Sequence, residues 1–288
     1  MSYFMKYIVI IPAYNEASYI AKTLQSLAAQ TLLPEWVLVV NDNSTDQTAS
    51  LVESFTTQYP WLHLTTKSSA AIHLPGSKVV QAFNYGLSLL PESIAYDIIV
   101  KLDADLILPP DYFASIVSAF LDNSKLGMAG GIALIEKNNN WVVENLTDKD
   151  HIRGAFKAYR KACFQQIGGL KPAMGWDTVD ELLCRYYHWE ILVRQDLQIK
   201  HLKPTGAQYD QTARYKQGEA FYRLHYGLLI TLIASLKLAS KKGKPLLFLD
   251  YIKGYFKAKA KQEPYLVTEE QGKFIRQYRW AKIKSKLF

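Results

Sequence analysis

The stretch Tyr96–Asp97–Ile98–Ile99–Val100–Lys101–Leu102–Asp103–Ala104–Asp105 decides how this chain is read. An apolar run of strand length breaks into a loop, and two carboxylates one residue apart stand at the break. In an open α/β sheet the ligand crevice lies at the carboxyl ends of the strands. Acids at that point face a substrate, whereas acids elsewhere on a strand would be buried or solvated. An Asp-x-Asp pair also fits an ordinary solvated turn, so its meaning depends on the rest of the chain.

Two other stretches repeat the pattern. In Ile8–Val9–Ile10–Ile11–Pro12–Ala13–Tyr14–Asn15–Glu16 a β-branched run is stopped by proline and followed by polar residues, which reads as a buried strand meeting a loop. Ile20, Leu24 and Leu27 follow at helical spacing, and Trp36–Val40 then gives a second buried strand ending in Asn41–Asp42–Asn43–Ser44–Thr45–Asp46. Alternation of strand, helix and strand predicts a parallel sheet. Ser44 with Gln47 three residues on predicts a capping box. That box places Asp42 and Asn43 in the loop before a helix whose apolar positions are Leu51, Val52 and Phe55. Three loops thus bring polar residues to one sheet edge, and paired carboxylates there suit a divalent cation carrying a diphosphate.

With these motifs the chain resembles the family 2 glycosyltransferases, which have the nucleotide-diphospho-sugar-binding fold called GT-A, over roughly residues 6–220. Pro12–Ala13–Tyr14–Asn15–Glu16 is similar to the family's first signature. Val39–Asp46 is similar to its Asp-Asp-Gly-Ser-like second signature, with Asn41 in place of the first Asp and Asp42 kept. Gly76–Gly86 resembles a segment ending in Arg-Asn-x-Gly, with Phe83 in place of the Arg, which leaves Lys78 to supply charge at a phosphate. The fold implied is α/β, a mixed and mostly parallel sheet flanked by helices with a C-terminal helical appendix. The resemblance divides the chain into a catalytic domain, 1–220, and a basic amphipathic helical region, 221–288.

The same resemblance implies a metal-dependent, inverting transfer of sugar from a nucleotide-diphospho-sugar, of UDP-sugar type, to a hydroxyl acceptor. The acceptor would be a carbohydrate or a lipid-linked group in cell-surface polysaccharide or glycolipid synthesis. Asp42 would accept the N–H of the base, and Tyr14 would either stack on the base or pack on its own helix. Pro12, Glu16 and Ala104 complete the donor-binding set. Asp105 would hold Mn²⁺ or Mg²⁺, with Asp103 either a second ligand or a partner of the ribose and sugar hydroxyls. His201, in Ile199–Lys200–His201–Leu202–Lys203–Pro204–Thr205–Gly206, stands where the family places a further metal or diphosphate ligand. Arg153, in His151–Arg160, would meet a phosphate. The attack also needs a general base within hydrogen-bond reach of the acceptor hydroxyl. In Gly175–Leu182 the pair Asp180–Glu181 resembles the acidic pair preceding a helix that supplies it, Asp180 first and Glu181 second, with the two acids in the reverse of the usual order.

Length and composition suit such a protein, since 288 residues with 49% hydrophobic content suffice for one large α/β domain and an appendix. Cys163 and Cys184 lack metal-ligand spacing, which predicts two buried thiols in a reducing cytosol and neither a disulfide framework nor a zinc site. Met1–Lys6 leads almost directly into the first strand, so no signal peptide is expected, and the Asn-x-Thr matches at Asn43 and Asn145 carry no weight. Lys137–Asn138–Asn139–Asn140 reads as a mobile loop, with Trp141 either in a lid or simply half-buried.

Charge is uneven. Residues 237–288 hold fourteen Lys and Arg against four Asp and Glu, a net of +10 that leaves the remainder of this +8 chain at −2. Leu246, Leu249, Tyr255 and Phe256 are interleaved with the basic residues, and the apolar segment Leu224–Leu238 precedes them. The pattern suits peripheral attachment to the anionic cytoplasmic face of a membrane. Gly227–Ser235 is too short to span, since a crossing helix needs about 20 apolar residues. The alternative is a tail packed on the catalytic domain with its charges in water. No recognition-helix, zinc or RNA-binding signature accompanies the charge, so nucleic acid is not an expected partner.

Other function classes fit less well. A nicotinamide-dependent dehydrogenase needs a glycine fingerprint after the first strand, and Pro12–Glu16 holds no glycine. A nucleotidyltransferase would carry a Gly- and Arg/Lys-rich first loop. Asn41 and Phe83 prompt a non-enzymatic alternative, a degenerate nucleotide-sugar-binding or scaffold protein of a polysaccharide-assembly complex. Retention of Asp42, Asp103, Asp105 and Asp180 favours the enzyme.

Overall fold

A computed structural model describes residues 5–68, 76–144, 150–203 and 213–287. Pro204, Thr205 and Gly206, together with the Asn145 sequon, lie outside the described residues. The chain forms two compact units, one drawn from the segments Met1–Leu74, Lys78–Leu170 and Tyr187–Thr205, the other from Pro75–Ser77, Lys171–Tyr186 and Gly206–Phe288.

The first unit begins with strands β1 (Tyr7–Ala13), β2 (Trp36–Asn41), β3 (Leu62–Thr66) and β4 (Ile98–Leu102), all parallel and ordered β3-β2-β1-β4. Every residue of β1 and β4 is buried, which explains why both read as apolar runs, interrupted in β4 only by Lys101, rather than as alternating ones. Each fully buried Ile, Val or Leu contributes about 1.5–3 kcal/mol relative to exposure, so these strands fix the core. Helices α1 (Ile20–Ala28), α2 (Thr48–Thr56) and α3 (Ser77–Ser88) connect them. Gly86 of α3 lies so close to the sheet that a Cβ there would come within 2.6 Å of Val40 Cγ2 and 2.9 Å of Ile10 Cγ2.

The sheet continues through β8 (Phe156–Arg160), β6 (Leu126–Lys137), β9 (Glu190–His201) and β5 (Leu106–Ile107), with β7 (Asn140–Val143) paired to β6. β8 runs antiparallel to β4, and β9 parallel to β6, so the sheet is mixed. Helices α4 (Tyr112–Asp122) and α5 (Lys161–Gln166) belong to this half, and the Phe113 ring of α4 stacks on Tyr7 of β1 at 4.5 Å. Gly131 lets β6 approach β9, since a Cβ would meet the Leu197 carbonyl at 2.2 Å.

Register decides where the site can be. Ala13 pairs with Asn41 and Ile10 with Lys101, so the chain leaves β1, β2 and β4 at the same edge. One buried hydroxyl ties α1 to the last of these exits. Thr23 Oγ1 donates to the Ala104 carbonyl at 2.8 Å and accepts from the Leu106 N–H at 3.0 Å.

Two local expectations are corrected. The capping box at Ser44 and Gln47 does not form, and α2 begins at Thr48 without a side-chain cap from Gln47. Asp46, closer to the helix start, accepts instead from the N–H groups of Thr48 at 2.9 Å and Ala17 at 3.0 Å, while Ser44 Oγ accepts from the Asn15 N–H. Lys137–Asn140 is a hairpin turn rather than a mobile loop, with Lys137 paired to Asn140 and Asn138 and Asn139 at φ of 50° and 60°. Asparagine tolerates this left-handed backbone, and two such residues in succession make the turn that matches strand twist.

The second unit contains α6 (Trp176–Tyr186), α7 (Ala213–Arg223), α8 (Gly227–Lys241), α9 (Leu246–Ala260) and α10 (Glu269–Leu287). α7 and α9 cross at reciprocal glycines, where a Cβ on Gly218 would meet the Tyr251 carbonyl at 1.8 Å and one on Gly254 the Tyr215 carbonyl at 2.0 Å. α10 packs by Phe274, edge-on to Tyr186 of α6 at 5.5 Å. Among the described residues no helix is long and apolar enough to cross a membrane.

Candidate functional site

The centre of the site is built where β4 ends. Asp103 and Asp105 follow Leu102 directly, and the two-residue strand β5 then pairs with the end of β9, setting Leu106 opposite His201. The Leu202 N–H donates to the Asp105 carbonyl at 2.9 Å and the Asp103 N–H to the Ala155 carbonyl at 2.8 Å, so the loop is held by backbone on both sides. His201 Nε2 thereby lies 3.2 Å from Asp105 Oδ2, with both residues buried. One ligand atom each from Asp103, Asp105 and His201 all fall within 4.8 Å of one another. Two carboxylate oxygens and an imidazole nitrogen are a donor set that Mn²⁺ accepts, and the all-oxygen preference of Mg²⁺ is met by the carboxylates and water. The residues present therefore fit a divalent cation.

Electrostatics point the same way. Burial lifts the Asp103 carboxyl above its usual range, the Asp105 charge adds to the lift, and Lys101, ion-paired to Asp103 Oδ1, opposes it. His201 is pulled down by burial but held above its ordinary value by the hydrogen bond to Asp105 and the charges of Asp105 and Asp103. Carboxylates crowded at a buried point are stabilised by positive charge, whether a lysine or a bound cation.

The other residues expected in the donor site lie at the same edge. Pro12 is buried in β1 beside Val40. Tyr14, just beyond β1, is 54% exposed. Asp42 is buried, with Oδ1 3.9 Å from Lys67 Nζ and its N–H donated to the Ala13 carbonyl. Asn15 Oδ1 accepts from the Thr45 N–H at 2.8 Å, locking the first two loops together. Glu16 pairs with Lys203 at 2.8 Å, and burial raises its carboxyl against the lowering effect of that lysine. Ala104 is buried between the two acids.

Arg153 and Lys78 are placed differently from one another. The Arg153 guanidinium is ion-paired with the buried Glu144, so an acid already holds it. Lys78 is half-buried in the first turn of α3. Phe83, expected from the resemblance to replace an Arg, is fully buried with its ring 6.0 Å from Phe164, so this side chain serves the core. Asp180 and Glu181 lie inside α6 of the second unit rather than before it, and both are buried. Asp180 Oδ1 accepts the Glu181 N–H at 2.6 Å. The helix starts earlier than expected because Trp176 and Val179 supply buried apolar positions in its first turns.

Sequence reasoning missed Lys101, Lys203 and Thr23. The signal for Lys101 was present, a lysine inside an apolar strand two residues before the acids. It is 2% exposed, and its register partner on β8 is Lys157, also fully buried. Lys203 and Thr23 gave no local signal, because their partners Glu16 and Ala104 are distant in sequence.

A family model described as Glycosyl transferase family 2 matches residues 8–170. YfnE of Bacillus subtilis (strain 168), described as an uncharacterized glycosyltransferase, is 30% identical over 127 residues, which cover 44% of this chain and 30% of that protein. The chain thus spans less than a third of this relative's length. Among solved structures, a mannosyltransferase from Pyrobaculum calidifontis in complex with GDP-Man and Mn²⁺ superposes with a TM-score of 0.60 at 16% identity, covering 98% of this chain and 81% of the other. TarS 1–349 of S. aureus in complex with UDP-GlcNAc gives 0.58 at 20% identity, covering 88% and 73%. At these identities the likeness establishes the fold.

Proposed function

Because the chain belongs to glycosyl transferase family 2 and has the GT-A fold, we propose that it transfers a sugar, with inversion, from a nucleotide-diphospho-sugar of UDP-sugar type to a hydroxyl acceptor. The acceptor is a carbohydrate or lipid-linked group of cell-surface polysaccharide or glycolipid synthesis, reached from the cytoplasmic side. The clustering of Asp103, Asp105 and His201 at the carboxyl end of β4 carries this reading. Two solved structures of the same fold, named with GDP-Man and Mn²⁺ and with UDP-GlcNAc, support a nucleotide-sugar donor.

Asp105 would hold Mn²⁺ or Mg²⁺, with Asp103 a second ligand or a partner of the ribose and sugar hydroxyls and His201 a further metal or diphosphate ligand. When bound, that ion neutralises charge on the departing diphosphate. Asp42 accepts the base N–H, Tyr14 covers its face, and Pro12, Glu16 and Ala104 shape the pocket. Lys78 supplies charge at a phosphate, and Arg153, already paired with Glu144, would meet a phosphate only by giving up that acid. Asp180 takes the proton of the acceptor hydroxyl as it attacks the anomeric carbon, with Glu181 the alternative. Residues 1–220 supply this chemistry, and 221–288 are the basic helical region appended to it.

A panel of nucleotide sugars screened by thermal unfolding, with and without Mn²⁺, tests the proposal. One donor should stabilise the native chain by about 2.7 kcal/mol at a hundredfold excess over its dissociation constant, in a Mn²⁺-dependent way, and should be hydrolysed slowly. A chain that no donor stabilises would refute the reading, and stabilisation without any hydrolysis or transfer would favour the scaffold alternative.

A further inference from the structure

Helices α8 and α9 leave apolar side chains in water on the faces opposite their packing. In α8, Ile230, Ser235 and Ala239 are buried, while Leu229, Ile233 and Leu236, at helical spacing, are exposed by 64%, 40% and 60%. In α9, Tyr251, Gly254 and Ala258 are buried, while Leu246 and Leu249 are exposed by 75% and 52%. Residues 242–245 alone join the two helices, and Leu236 lies about 7.5 Å of helix before the end of α8. Leu236, Leu246 and Leu249 therefore flank one hairpin tip. Lys237, Lys241, Lys242 and Lys244 lie in and beside it in the chain, all exposed, with Lys242 Nζ also 3.5 Å from the Tyr251 hydroxyl.

Single exposed leucines are ordinary, but three of them near one helical tip with lysines beside them call for an occupant that accepts both. A second copy of the chain would bring the same lysines against these. A nucleic acid would use the lysines and gain nothing from the leucines. An anionic lipid surface takes both, acyl chains receiving the leucines and head groups the lysines. α10 makes the contrast, since it is also basic yet exposes no large apolar side chain among the described residues.

We propose that the tip of the α8–α9 hairpin inserts into the interface of an anionic lipid bilayer, attaching the chain from one side, and that α10 does not take part. Vesicle binding is read without donor or metal, so its outcome is separable from that of the transfer reaction.

The test is flotation of the full chain with phosphatidylcholine vesicles and with vesicles containing equal phosphatidylcholine and phosphatidylglycerol. The native chain floats with the anionic vesicles only. The triple substitution Leu236→Ser, Leu246→Ser, Leu249→Ser lowers the bound fraction at least about tenfold, and Leu246→Ser alone, at the most exposed position, lowers it measurably. Lys273→Ser with Lys284→Ser in α10 changes it less than about twofold. Circular dichroism and an unchanged unfolding transition verify that the variants fold. Failure of the native chain to float, equal flotation of the triple variant, or an equal loss in the α10 variant overturns the proposal. So does a dimer, or an RNA complex, that the leucine substitutions abolish while flotation persists.

Discussion

The parallel strands β1 and β4 and the helical hairpin α8–α9 both draw on Ile and Leu, with one Lys in the strands and seven in the hairpin, and put them to opposite use. In the strands every side chain is out of water, Lys101 of β4 included, and the acids Asp103 and Asp105 follow at the strand end, where they meet His201. In the hairpin only one stripe is buried, and leucines stand in solvent beside lysines. The difference teaches where to look for function in each. In a fully buried strand the informative residue is the polar one, and on a half-buried helix it is the apolar one.

The largest effect expected bears on chemistry. Asp180→Asn keeps the shape of the side chain and removes its basicity, so transfer should fall by roughly 10²–10⁴-fold while Mn²⁺-dependent donor stabilisation persists. A fall of only a few-fold would move the base to another residue.

Stability separates the two regions more directly. Ile10→Ala, at a fully buried position in β1, should lower the unfolding free energy by about 2–5 kcal/mol in a denaturant titration. Leu246→Ala, at 75% exposure in the hairpin, should change it by no more than about 0.5 kcal/mol. Comparable losses at both positions would mean that the hairpin leucines serve packing, and the contrast would fail.

The smallest effect is a pH dependence within the sheet. His63 of β3 stacks on Trp36 with ring centroids 3.3 Å apart, and burial holds its imidazole below the ordinary value. The unfolded chain takes up that proton first, so this contribution to stability is present above about pH 6.5 and declines as pH falls through it. His63→Gln should flatten the acid side of the melting-temperature profile relative to the native chain. Parallel profiles would assign the slope to other groups.

Much of the fold was legible because β1, β2 and β4 are long apolar runs stopped by proline or by polar residues, a pattern that burial on both faces imposes. Asp103, Asp105 and His201 could be singled out one by one, but what sets them side by side is the pairing of β5 with β9, a contact across about a hundred residues that leaves no local trace. The Lys101–Asp103 ion pair was hidden by reading Lys101 as part of an apolar strand. The failed capping box has a simpler cause, since Asp46 offers a stronger acceptor nearer to the first free N–H of α2 than Ser44 does. Asp180 was placed before its helix because the family resemblance sets an acidic pair there, whereas Trp176 and Val179 are already buried helical positions. In the C-terminal region the charge was plain from composition, while the division between a hairpin that exposes leucines and a helix that does not depends on which faces pack.

Direct measurement of Mn²⁺ binding in the presence of UDP, by electron paramagnetic resonance on the native chain and on Asp105→Ala, tests the metal cluster itself. The native chain should immobilise Mn²⁺ in a UDP-dependent manner, and Asp105→Ala should leave the ion free in solution while keeping its fold. An undiminished bound signal in Asp105→Ala would contradict the assignment of the β4 carboxylates and His201 as the ion's ligands.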